Sequence, residues 1–334
     1  MQFENTTQMY YLLITILIFI GLLIYFKIAN KYNIIDKPNE RSSHTQITIR
    51  GGGIVYPLSY ALLIFFSFDN IDENYLNFII GLGLLIISAI SFVDDIVLLS
   101  PKLRLIFHFI SVTVLLYSIS GFSQPVWIIL FYYIFVIGIL NCFNFMDGIN
   151  GITGLYSLIT LCTLYYINTE YGFFSKDFIL FPILASFVFL FFNFRKKARC
   201  FAGDIGSFSI AYLILVIIGT VILQTGDYRY LFLLTVYGVD SVLTIIERIF
   251  LKENIFEAHR KHLYQILVNE KKQSHLLISS WYAFTQLIIN FVILYFDFSF
   301  IQCIFAIVLP FGLLYLLLKS YLKKNIILTT NKTI

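Results

Sequence analysis

The sequence predicts an all-α, polytopic membrane protein of about eleven transmembrane helices, with its N-terminus outside and its C-terminus in the cytoplasm. Three observations predict this. Charged residues make up 13% of the 334 residues, about half of the roughly 25% that a soluble domain carries, and mean hydropathy is +0.85. Apolar stretches near the length of a bilayer crossing recur along the whole chain. Basic residues fall almost entirely in alternate loops.

A bilayer core takes about 20 apolar residues per helix. The stretches that qualify are 9–28, 53–68, 76–93, 103–120, 126–143, 151–167, 178–194, 206–223, 230–247, 276–296 and 299–318. Buried helices of a soluble protein imitate one or two of these, not the whole succession. The first, from Met9 to Ile28, has no preceding positive charge, is too long for a signal-peptide core and lacks a small-residue cleavage site after it. It reads as a span. Several of the 23 tyrosines sit near span ends, as interfacial anchors do. The chain reads as a single integral membrane domain, 1–334, without a visible repeat. Cys142, Cys162, Cys200 and Cys303 have no CxxC spacing and read as small apolar fillers.

Of the 23 lysines and arginines, only Lys176 and Arg229 fall in one set of loops. That set is acidic instead, with Glu4, Asp69, Asp72, Glu73, Glu170, Asp177, Asp227 and Asp297. The positive-inside bias makes the other set cytoplasmic. Five polar segments then share the cytoplasmic face.

Asp94-Asp95 ends the third span; paired carboxylates there attract a cation, or merely form a solvated helix end. Lys102, eight residues on, is at headgroup depth, where an ammonium meets a lipid phosphate or simply anchors the span. In NCFNFMDGINGITG, residues 141–154, Asn141, Asn144 and Asp147 recur every third residue and share a helical face. Asn150 stands among glycines. Capping accounts for some of these groups, but so many in one apolar stretch favour a site. In FAGDIGS, residues 201–207, Asp204 or Ser207 reads as an N-cap of the eighth span. The helix start offers unpaired N–H groups to a phosphate, and Asp204 could also hold Mg²⁺. His259, Arg260 and His262 make either an anion-binding patch or a solvated basic loop; with no cysteine or third histidine nearby, zinc is disfavoured. Arg41, Ser42, His44 and Arg50 precede a glycine triplet that lacks the spacing of a P-loop or dinucleotide fingerprint. Arg195, Lys196, Lys197 and Arg199 suit anionic lipid.

In order, DKPNERSSH…RGGG, FVDDI…PKLRL, NCFNFMDGINGI, FAGDIGS, VDSVLTIIERI and HRKHLYQ resemble the polyprenyl-phosphate N-acetylhexosamine-1-phosphate transferases, from about residue 36 to residue 265. The HRxHxYQ form is more similar to the bacterial O-antigen-initiating branch than to the muramoyl-pentapeptide branch. One departure is Gln46–Ile49, where relatives carry prolines before the glycine triplet.

The resemblance implies Mg²⁺, with Mn²⁺ as a substitute, on Asp204 with Asn144 close by. It implies Asp94 and Asp95 as the essential acidic pair and Lys102 near the lipid phosphate. Asn150 falls where relatives contact the nucleotide, and His259, Arg260 and His262 on the loop that binds the donor's phosphates and sugar. Arg41, His44 and Asp147 complete the expected substrate contacts. Asp240 and Glu247 match family positions without an assigned role. The implied partners are undecaprenyl phosphate and a UDP-HexNAc in a bacterial inner membrane, with no nucleic acid, the chain acting singly or as a homodimer. The alternative reading is a transporter or lipid flippase, which would place its ion site near the bilayer midplane, between broken helices and repeated halves.

Overall fold

The computed structural model describes residues 2–38, 46–66, 71–255, 257 and 259–330. Arg41 and His44 lie outside the described residues. Helix α1 (Gln2–Tyr32) leads into two short strands, β1 (Ile35–Asp36) and β2 (Thr48–Ile49). There follow α2 (Val55–Phe66), α3 (Ile71–Ile96), α4 (Pro101–Ser118), α5 (Val126–Met146), α6 (Ile152–Tyr171), α7 (Lys176–Asn193) and α8 (Gly203–Thr225). A 3₁₀ segment, Tyr228–Leu234, continues into α9 (Thr235–Phe250). A single turn, α10 (Leu263–Gln265), precedes α11 (His275–Tyr295), and α12 (Phe300–Cys303) runs through a π-turn into α13 (Leu309–Thr330).

Every expected span is mainly helical over its described residues. Among the described residues, eight helical stretches are long and apolar enough to cross a bilayer. The stretch Gly52–Phe66 is apolar but shorter, and α4 and α6 are not among the eight. Helix α8 is the axis of the bundle: 89% of its apolar window is buried inside the protein, against 17% for Phe300–Lys324 at the periphery. Its burial has a counterpart in its sequence, which is apolar on all sides between Ile210 and Ile222. The outer helices instead expose Phe131, Ile134, Trp281, Leu313 and Leu317, a surface that suits lipid rather than water.

In hydrocarbon every backbone polar group needs an internal partner. The break between the 3₁₀ segment and α9 meets that need through α11: Gln286 Nε2 donates to the Phe232 carbonyl at 3.0 Å, and its Oε1 accepts from Val236 N at 3.0 Å. Tyr156 OH also donates to Gln286 Oε1, and Asn290 Nδ2 carries the chain of bonds on to Thr163. The Gln46–Ile49 departure also has a structural form. Ile35 pairs with Ile49 and Asp36 with Thr48 in an antiparallel ladder. Beyond it, Phe201 N donates to Ile49 O at 2.8 Å, Gly52 N to Phe201 O at 2.7 Å and Gly53 N to Ala202 O at 3.0 Å. The segment before α2 is thereby zipped along the segment before α8. A Cβ on Gly53 would fall 2.1 Å from the Gly206 Cα, so this crossing requires glycine.

Candidate active site

The zipped crossing brings the start of α8 beside the end of α3. Asp95 Oδ1 accepts from Asp204 N at 2.9 Å and Asp95 Oδ2 from Ile205 N at 3.1 Å. This corrects one expectation. Neither Asp204 nor Ser207 caps α8; a carboxylate from another helix does, and these N–H groups are not available to a phosphate. Capping by a carboxylate suits the positive end of the helix dipole. Asp94 has a different setting. It accepts from Leu99 N at 2.8 Å, closing the turn before α4, and from Arg104 Nη1 at 2.9 Å. Ser100, with Pro101 behind it, starts α4 by accepting from Leu103 N, and this start brings Arg104 to the cluster.

Asp204 lies between these groups. Its Oδ1 accepts from Asn144 Nδ2 at 2.9 Å and from Arg50 Nη2 at 3.4 Å, and its Oδ2 is 4.0 Å from Arg104 Nη1. Arg50 Nε also meets Asp95 Oδ1 at 2.6 Å. Tyr25 OH donates to the Arg50 carbonyl, anchoring that residue to α1. Three carboxyl groups thus meet two guanidinium groups in a partly exposed place. The donor atoms are hard oxygens. Among the described residues no group of three His, Cys, Asp or Glu forms a ready metal cage, but Mg²⁺ binds through one or two carboxylates, water and substrate phosphates rather than an all-protein cage. Asp204 and Asp94 fit that description, and Asn144 could turn its amide oxygen inward.

The segment after α5 forms the next wall. Helix α5 ends at Met146, so Asp147 is its C-cap rather than a member of the helical face with Asn144. Asn141 turns away and donates to Ile137 O, outside the cluster. Asp147 Oδ1 accepts from Thr153 at 2.6 Å. Burial, only partly offset by that bond, pushes the Asp147 carboxyl up to about 7. Asn150 is built into the wall: its Nδ2 donates to Arg195 O, its N to His275 Nδ1, and its carbonyl accepts from Ser279. Its Oδ1 is buried and has no hydrogen-bond partner among the described residues. Asn193 braces the same corner, accepting from Gly151 N at 2.6 Å and donating to Cys200 O at 2.8 Å.

Lys102 and the loop between α9 and α11 stand apart from the cluster in different ways. Lys102 is exposed at the start of α4, near Arg104 in sequence. Burial, with the positive field of Arg248 beside it, pulls the His259 imidazole down to about 4. Arg248 is committed to Glu253 and to the Asn254 and Ile255 carbonyls, and Lys261 pairs with Glu253. His262 is buried, with Nδ1 3.0 Å from Asp240 Oδ1. Its ring centroid is 4.9 Å from that of His259 and 6.4 Å from that of Phe145, the neighbour of Asn144.

The structure therefore joins Asp94, Asp95, Asn144 and Asp204 in one cluster and sets Asp147 and Asn150 in the adjoining loop. Sequence reasoning missed Arg104 and left Arg50 without a role. Both stand inside motifs it singled out, PKLRL and IRGGG; the signal was a cation beside an acidic pair, readable only once the chain is folded.

Comparison with curated proteins returned no match. The family model for glycosyl transferase family 4 matches residues 77–222, a stretch that runs from α3 to α8 and includes Asp94, Asp95, Lys102, Asn144, Asp147, Asn150 and Asp204. This is a family of membrane transferases that move a sugar-1-phosphate onto a polyprenyl phosphate. The acidic cluster lies inside the matched stretch, so it is over this part of the chain, from α3 to α8, that the protein is similar to glycosyl transferase family 4.

Proposed function

We propose that the chain transfers a HexNAc-1-phosphate from a UDP-sugar to undecaprenyl phosphate. The products would be undecaprenyl-diphospho-HexNAc and UMP, in the first membrane step of a cell-surface polysaccharide of O-antigen type. One observation carries the reading: Asp94, Asp204 and Asn144 converge with Arg50 and Arg104 at one end of a helix bundle. We place that end at the cytoplasmic face of a bacterial inner membrane, on the loop charges. A polyprenyl tail then stays in hydrocarbon while its phosphate reaches the carboxylates.

In this reading an oxygen of the acceptor phosphate attacks the β-phosphorus of the UDP-sugar. The new P–O bond forms as the bond from that phosphorus to the bridging oxygen breaks, and the electron pair leaves with UMP. Asp204 and Asp94, with Asn144, would hold Mg²⁺. The ion supplies charge neutralisation across the diphosphate and stabilises the leaving phosphate. Arg104 and Arg50 orient phosphate oxygens beside the carboxylates they now pair. Asp94 orients the acceptor phosphate and takes any proton it carries. Asn150 offers its open Oδ1 to a donor N–H of the nucleotide base.

Purified protein with undecaprenyl phosphate, Mg²⁺ and a panel of UDP-HexNAc donors tests this through UMP release. Release that needs the acceptor lipid is expected for at least one donor. No release with any donor would refute the reading. Release without acceptor, with a trapped protein adduct, would replace direct transfer by a covalent route.

A further inference from the structure

Asp240 occupies a place that the reaction scheme above leaves unused. It lies on α9, 1% exposed, beyond the segment matched by the family model. Five donors converge on its carboxylate. Oδ1 accepts from Tyr315 OH at 2.9 Å, from Leu263 N at 3.3 Å and from Thr244 Oγ1 at 3.3 Å, and it lies 3.0 Å from His262 Nδ1. Oδ2 accepts from Tyr282 OH at 2.6 Å. Lys319 donates to Thr244 and to Tyr315, and so ties the ring of bonds to α13.

A carboxylate so supplied is ionised and can only accept. The imidazole facing it must therefore carry its proton on Nδ1, the arrangement that fixes both tautomer and ring direction. The opposite edge of the ring shows the second half of the pattern. His262 Nε2 is buried and has no partner among the described residues. An unpaired buried nitrogen is costly to maintain, and here it sits on a ring held from behind by four other elements. The ring is flanked by His259 and by Phe145 of the last turn of α5, next to Asn144. The ring thus lies beside the last turn of the helix that carries Asn144.

We propose that Asp240 is a positioning residue: it locks His262 with Nδ1 protonated, so that Nε2 is presented to a phosphoryl oxygen of the sugar-nucleotide donor. This rests on the transferase reading above. As the anion arrives, Nε2 takes a proton from the surrounding water or from the phosphate itself and donates it in a hydrogen bond, and Asp240 stabilises the imidazolium so formed. Asp240 itself never touches the donor.

Two measurements test this separately from the transferase reading. In protein labelled with ¹⁵N-histidine, the His262 signals, assigned by their loss in His262→Gln, should show protonated Nδ1. Saturating UDP should then protonate Nε2 as well. A bare Nδ1 in the wild type would overturn the proposal even if the protein proved inactive or the Asp240 variants failed to fold. In the active enzyme, Asp240→Asn should raise the donor KM at least tenfold and leave the KM for polyprenyl phosphate unchanged. The double variant Asp240→Asn/His262→Gln should be no worse than His262→Gln alone, because the two act as one unit. Additive losses, or equal changes in both KM values, would mean that Asp240 only supports the fold. Wild-type protein inert with every UDP-sugar would instead remove the transferase reading and leave the tautomer measurement to decide the role of Asp240.

Discussion

Adjacent carboxylates in one sequence motif have taken different tasks. Asp95 caps α8 and pairs with Arg50, whereas Asp94 faces Arg104 and Asp204. Asp95→Ala should therefore cost about 1–2 kcal/mol of stability through the lost cap, along with activity. Asp94→Ala should lower turnover at least a hundredfold with a much smaller shift in the melting temperature. Parallel melts and UMP assays on the two variants distinguish these outcomes; equal destabilisation would contradict the division of labour. Asp147 supports a prediction about pH. Its folded carboxyl titrates near 7, whereas an unfolded one titrates near about 4. Between those values the folded protein holds a proton that the unfolded chain has lost. The contribution of Asp147 to stability is therefore full at low pH and declines as pH rises from about 4 to about 7. His259, lowered to about 4, has the opposite sign, its contribution fading as pH falls below about 6.5. The melting temperature of the wild type minus that of Asp147→Asn should accordingly shrink across the window from about pH 4 to 7. A constant difference would show that Asp147 is not perturbed as the structure indicates.

At the scale of elements, two joints carry the architecture. One is the contact of Gly53 with Gly206, where backbones cross without room for a methyl group. Gly53→Ala should disrupt the zipped segment and abolish transfer, whereas Gly238→Ala on α9, with none of the described residues within 4 Å of the added carbon, should be neutral or slightly stabilising. Melts and activity of the pair check this. The other is Gln286, which satisfies the broken entry to α9. Gln286→Leu leaves Val236 N without its partner, while Phe232 O keeps its bonds from Thr235, and should cost about 1–3 kcal/mol. Much of this level was legible in the sequence. Every apolar stretch became a helix, because hydropathy at the length of a bilayer leaves few alternatives. Helix caps were legible less well. The rule that a nearby Asp or Ser caps its own helix failed at α8, where Asp95, more than a hundred residues earlier, takes the N–H groups. Nothing local distinguishes a carboxylate that caps a distant helix from one that binds a ligand. The role of Asp240 was hidden for the same reason, its partners lying on α10, α11 and α13.

For the molecule as a whole, loop charge predicted one reactive face, and the cluster does gather at one end of the bundle. Its orientation is open to a direct test. Single cysteines at Lys176 and Lys196, at opposite ends of α7, placed in a chain with its native cysteines replaced, should react with an impermeant maleimide from opposite sides of the membrane. Lys196 should be reached only from the cytoplasm. Labelling of both from the same side would undo the topology. Chelation of divalent ions should stop UMP release, and added Mg²⁺ should restore it.

The bond between Asp95 and the first turn of α8 has one more consequence. Helices that meet only through side chains slide and tilt as the lipid around them becomes thicker or thinner. Here α3 and α8 are pinned at their shared end by two backbone amides, so a change in tilt pivots about the acidic cluster and leaves its spacing intact. Turnover in vesicles of short-chain and long-chain phospholipids should then differ far less than the mean tilt of the bundle does.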